Sequence, residues 1–174
     1  MTNTHNLIAS STIGSGGSAT VTFSSIPSTY TDLKLVVSAR GDGASGIFVC
    51  QFNGLTTNLS SMLLYGINGN ATGSASYTGA NSIWAYTTNS GSTASTFGNA
   101  EIYIPNYTST KYKSVSIDGV NETNAADGRQ IMVAGLWSST SAITSITLTS
   151  QTGGNAATNF TQYSTFYLYG ISNS

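Results

Sequence analysis

Residues 18 to 54 carry three runs in which side-chain character alternates with a period of two. Val21 and Phe23 alternate with Thr20 and Thr22. Leu33, Leu35 and Val37 alternate with Lys34, Val36 and Ser38. Phe48, Cys50 and Phe52 alternate with Val49, Gln51 and Asn53. Successive side chains of a strand point to opposite faces, so each run marks a half-buried β-strand. No stretch of useful length repeats with the helical period. A chain of strands without helices has to bury its apolar faces in a two-layer sandwich or a barrel.

The remaining strands are placed in the same way. A first strand is expected over 7–13, closed by Gly14-Ser15-Gly16-Gly17 into a hairpin with 19–23, because glycine supplies the positive φ of such turns. Further strands are expected over 32–40, 47–52, 99–104, 111–118, 129–137, 143–149 and 160–171, with those at 32–40 and 129–137 apolar enough to lie centrally. Asn53-Gly54 is a strong turn signal. Residues 55–65 break the alternation, and Asn58 or Ser60 is positioned to cap one helical turn through Met62, Leu63 and Leu64. Residues 66–99, rich in Gly, Ser, Thr and Asn, read as a long excursion holding one short strand at 82–86; a stretch of this length more often makes contacts than merely connects. The expected fold is an all-β, jelly-roll-like antiparallel sandwich, one domain over 1–174 with its core within 7–171. Expected core residues are Leu33, Leu35, Val37, Phe48, Cys50, Phe52, Ile102, Ile104, Val115, Ile117, Met132, Ala134, Leu136, Ile146, Leu148, Phe166 and Leu168.

Charge narrows the function classes. Asp, Glu, Lys and Arg make up 6% of the 174 residues, with net charge −1, against about 25% charged residues in typical domains. Solubility must come from Ser, Thr, Asn, Gly and Tyr, and crowded copies would repel one another little. The five basic residues are scattered apart from Lys111 and Lys113, which read as a solvated strand face, so a nucleic-acid partner is not expected. No run approaches the roughly 20 apolar residues of a membrane span, and no membrane partner is expected. The opening residues lack a basic leader followed by an apolar run, so no signal peptide is expected.

The residue inventory argues against catalysis. His5 is the single histidine and precedes the first strand, which leaves no internal base for a Ser-His-Asp triad. Glycosidase chemistry needs two facing carboxylates, and the six available, Asp32, Asp42, Glu101, Asp118, Glu122 and Asp127, fall mostly at turns or strand edges, where such residues more often cap and solubilise. Asp118, Glu122 and Asp127 offer oxygen ligands for a cation but lack the spacing of a known calcium loop. Cys50, flanked by Phe48 and Phe52 on one strand face, reads as a small buried apolar residue. No catalytic residue, metal site or cofactor is therefore expected. The aromatics are the remaining signal: Tyr65, Tyr77, Trp84, Tyr86 and Tyr107 are candidates for a contact surface, since Tyr and Trp bury much area and keep a polar handle. Trp137, inside the apolar run 131–136, is expected in the core.

Two resemblances bear on function. Phe23, Ile26-Pro27, Tyr30, Leu33, Leu35, Ala39-Arg40 and Phe52-Asn53-Gly54, with the tail ITSITLTS and FTQYSTFYLYGI, resemble the first and last strands of jelly-roll carbohydrate-binding domains of the galactose-binding type; this implies the fold and carries no ligand site across. The phrases TFSSIPSTYTDLKLVVSAR, AEIYIPNYTSTKYKSVSID, AGLWSSTSAITSITLTS and FTQYSTFYLYGI resemble small virion structural proteins of tailed bacteriophages. That resemblance implies a capsid decoration (cement) protein at the virion surface, with the major capsid protein and copies of itself as partners. The alternative it leaves open is a tail-associated module that binds a host surface glycan.

Overall fold

A computed structural model describes residues 4–68, 71–79, 83–124 and 128–172. Among these residues there are twelve strands and no helix: β1 (His5–Thr12), β2 (Thr20–Phe23), β3 (Asp32–Ala39), β4 (Ile47–Phe52), β5 (Leu59–Ile67), β6 (Ala71–Thr78), β7 (Trp84–Tyr86), β8 (Gly98–Ile104), β9 (Lys113–Asn121), β10 (Arg129–Trp137), β11 (Ile146–Gln151) and β12 (Thr165–Ile171). They form an eight-stranded sheet, β1-β12-β3-β8-β9-β10-β5-β6, and a four-stranded sheet, β2-β11-β4-β7, antiparallel throughout. The two sheets enclose one core, giving the jelly-roll-like sandwich that the alternation predicts.

The core comes from the inward set of each strand. Leu33, Leu35 and Val37 of β3 face Phe48, Cys50 and Phe52 of β4, with Ile102, Ile104, Val115, Ile117, Ile146, Leu148, Phe166 and Leu168 closing around them. Phe52 packs on Trp137 with ring centroids 5.6 Å apart, so Trp137 is a core residue as expected. β3 and β10 are interior strands of the large sheet. At Asn53-Gly54 both residues have positive φ, 53° and 67°, and Leu55 N donates to Phe52 O at 2.9 Å; two successive left-handed residues are what a type I′ turn requires.

Several expectations are corrected. Gly17 does have positive φ and donates its N–H to Gly14 O, yet β1 and β2 are not a hairpin pair. β1 pairs β12 in one sheet and β2 pairs β11 in the other; the glycine turn carries the chain between layers, and strand partnership is decided by distant segments. Residues 59–67 form a strand, not a helical turn at Met62 to Leu64. The alternation is hidden because both faces are apolar: Leu63 is buried while Met62 and Leu64 point outward. The same masking reverses the expected parity of β10. Ile131, Val133 and Trp137 are buried, and Met132, Ala134 and Leu136 lie on the outer face. Residues 66–99 are not one excursion, since β6 and β7 fall inside them; Ser82, expected to start the second of these, lies outside the described residues. Small residues in β6, ATGSASYT, left no apolar rhythm to read.

Lys113 is also a correction. It opens β9 and is buried, not solvated. Its ammonium donates to the carbonyl oxygens of Ser109 (2.6 Å), Ser141 (2.6 Å) and Ser139 (3.2 Å). Three carbonyl dipoles thus replace the hydration that burial removes.

Candidate interaction surfaces

The outer face of the large sheet exposes large apolar side chains that lie close together. On β5, Ser60, Met62 and Leu64 point outward. Register places them beside Leu136, Ala134 and Met132 of β10. Met62, Leu64 and Met132 are 63%, 60% and 57% exposed. On one flank β10 meets Ser114, Ser116 and Asp118 of β9; on the other, β5 meets Ser74, Ser76 and Thr78 of β6. The result is an apolar floor two strands wide between hydroxyl-bearing rims, shaped as a groove of about 1190 Å³. Contiguous exposed apolar patches of this kind mark interaction sites, and methionines adapt their shape to a partner better than branched side chains.

The groove's charge is acidic. Its charged lining residues are Glu101 and Asp118, register partners on β8 and β9. Lys34 pairs with Glu101 at 2.8 Å from the neighbouring strand β3. Tyr103 OH, at the same end, donates to Asp32 Oδ2 at 2.7 Å, and this bond to a carboxylate holds the phenol above its ordinary pKa.

Four of the five aromatic candidates converge at one sheet edge. Trp84 on β7 makes edge-on contacts with Tyr77 of β6 (6.0 Å) and Tyr86 (5.1 Å). The Arg129 guanidinium lies 4.9 Å from the centre of the Tyr86 ring. Tyr65 joins from β5, its ring set over Gly73, where a Cβ would come within 2.5 Å of the Tyr65 hydroxyl oxygen. Because β7 is the last strand of the small sheet and packs across β8, β9 and β10, β5 and β6 extend past it, and these aromatics close the gap. Tyr86 is buried, which raises its pKa against the opposing pull of Arg129; Trp84 is half-buried and Tyr77 is the exposed member. Tyr107 is not part of this surface. It is fully buried, donates its hydroxyl to Pro27 O, and serves the core.

Apart from Glu101 and Asp118, neighbours across the β8–β9 ladder, the polar residues weighed for chemistry are dispersed. His5 starts β1 on the exposed edge of the large sheet. Asp118 and Glu122 are exposed, Glu122 accepts from the Asn124 amide at 2.8 Å, and Asp127 lies outside the described residues. Among the described residues no three His, Cys, Asp or Glu side chains gather as metal ligands. Asp32 and Asp42 accept loop hydrogen bonds from Asn106 and Asn159. Arg40, reaching the carbonyls of Ser92, Thr93 and Thr96, fixes the loop that leads into β8.

Sequence reasoning missed Met62, Leu64, Met132 and Arg129. The signal was present in a different form: Met62-Leu63-Leu64 and Ile131-Met132-Val133 are apolar on both faces of strands that, by register, neighbour each other. A further feature points the same way. No Asp, Glu, Lys, Arg or His occurs between Asp42 and Glu101, so β4 through β7 carry none of these side chains.

The chain matches no protein-family model, no curated protein and no solved structure.

Proposed function

We propose that this chain is a non-catalytic virion structural protein, most simply a capsid decoration protein that stabilises the head by binding across neighbouring capsid subunits. The observation that carries the reading is the outer groove, because a coat protein needs a broad, weakly charged docking face more than a deep pocket. Its apolar floor fits aliphatic side chains of a subunit, and Asp118, beside a Glu101 already paired with Lys34, favours a neutral or basic segment over an acidic one. The phage-like phrases of the sequence supply the virion context. Binding only to the assembled shell would stabilise that shell by mass action, and attachment to more than one subunit would raise effective concentration, so each contact need only be weak. The near-neutral net charge of −1 lets many copies sit side by side. The test is the copy number in purified particles: numbers comparable with the major capsid protein support decoration, whereas a few copies at a single vertex contradict it.

A second reading, a tail-associated glycan-binding module, draws on the aromatic edge. Tyr77 and Trp84 offer ring surface beside the Arg129 guanidinium. It predicts glycan-array binding that Trp84→Ala weakens; an array without signal removes it.

A further inference from the structure

We infer that β6 is the pairing edge of a twofold-symmetric homodimer. The inference stands apart from the virion reading, since it needs only the strand and its surroundings.

A sheet edge exposes unpaired N–H and C=O groups, and proteins normally guard such edges with charge, proline, bulges or brevity. The four edges here differ in this respect. β1 carries a bulge between Leu7 and Ala9. β2 is four residues long and β7 three. β6 is eight residues long, pairs β5 in unbroken register, and holds no charge and no proline. It also lies within the uncharged span between Asp42 and Glu101. An uncharged edge offers a charged partner nothing to recognise, and an identical uncharged edge meets it without repulsion.

The register defines which groups are free to pair. Gly79 N donates to Leu59 O, so the hydrogen-bonded pairs of the β5–β6 ladder fall at Ser61–Tyr77, Leu63–Ala75 and Tyr65–Gly73. The backbone amides of Thr72, Ser74, Ser76 and Thr78 therefore point away from β5. Antiparallel self-pairing centred on Ala75 sets Thr72 against the partner's Thr78 and Ser74 against the partner's Ser76. Cross-strand hydroxyl pairs of this kind stabilise antiparallel sheets. On the inner face the same register sets Tyr77 beside the partner's Gly73, the residue whose missing Cβ makes room for the Tyr65 ring. The exposed Tyr77 ring is then covered. A twofold of this type is isologous and consumes both edges, so assembly stops at two copies.

The test uses sedimentation velocity on the full chain over a range of concentrations, with Ser74→Pro and Ser76→Lys. Proline at position 74 removes an amide directed away from β5 and leaves the β5 ladder intact; lysine at 76 introduces the missing guard. The expected result is a species of twice 18.0 kDa for the unaltered chain and the monomer mass for both variants, each with unchanged far-UV circular dichroism. Amide exchange provides a second readout that needs no variant: Thr72, Ser74, Ser76 and Thr78 are slowed at dimer-forming concentration. A monomer at every concentration, an assembly larger than two, a dimer that survives both substitutions, or fast exchange at those four amides in the dimer would overturn the proposal.

Discussion

Lys113 stands directly across from Trp137 in the β9–β10 ladder, with its ammonium 5.6 Å from the centre of the indole. The cation is thus held by an aromatic face and by three carbonyls, one from the loop before β9 and two from the loop after β10. Burial pushes its pKa down, while the carbonyl acceptors favour the charged form. Replacing Lys113 by Met keeps the aliphatic stem but orphans those carbonyls. The expected cost is about 2 kcal/mol, the scale of leaving partly buried acceptors unmatched, seen as a lower urea midpoint with unchanged slope. An unchanged midpoint would mean that the carbonyls are satisfied by water and that the lysine contributes nothing net.

Cys50 is fully buried, and burial pushes its thiol up to about 12. Only the thiolate reacts. In the native protein Cys50 should therefore resist aromatic disulfide reagents at neutral pH and react at the rate at which the chain opens. Labelling within seconds at zero denaturant would contradict the core placement.

Asp42 accepts from both the backbone N and the side-chain Nδ2 of Asn159, at 2.8 and 2.9 Å, and these bonds lower its pKa. A carboxyl with a depressed folded pKa adds stability above its unfolded value, and that stability is lost as pH falls through the folded value. The loop at Asn159 should therefore stay fixed through mildly acidic pH and loosen only below the ordinary aspartate range. Amide shifts of Asn159 followed by NMR would report this midpoint, and Asp42→Asn should abolish the transition. A midpoint at or above the ordinary value would contradict the geometry.

Gly46 precedes β4, where a Cβ would collide with Thr87 Oγ1 and lie 2.6 Å from Thr88 O. Backbone cannot yield as a flexible side chain does, so Gly46→Ala should cost about 2–3 kcal/mol, in the range of overpacking. Gly16→Ala, with open space around the new methyl, should change stability by less than about 0.5 kcal/mol. Equal effects of the two would remove the steric argument.

How far the sequence could be read depended on contrast between strand faces. Where one face is polar, as in β3 with Leu33, Leu35 and Val37 against Lys34 and Ser38, alternation identified both the strand and its inward set. Where both faces are apolar, as in β10, the strand was legible and its parity was not. Where both faces are small and polar, as in β6, the strand itself was illegible. The aromatic edge was half legible: composition nominated Tyr65, Tyr77, Trp84 and Tyr86, but only topology brings them together and sends Tyr107 to the core. The burial of Lys113 had no local signal, because two of its acceptors, Ser139 and Ser141, lie beyond β10.

The proposed function requires that the Met62, Leu64 and Met132 face dock on a larger assembly. The direct measurement is co-sedimentation of the purified chain with phage shells lacking it, for the unaltered protein and for Met62→Glu/Met132→Glu. Both substitutions sit on exposed positions, so the variant should fold normally. The expected result is saturable binding of the unaltered chain near capsid-protein stoichiometry and a loss of at least about tenfold in affinity for the variant, the effect of about 1.4 kcal/mol. Failure of the unaltered chain to bind shells, or equal binding by the variant, would contradict it.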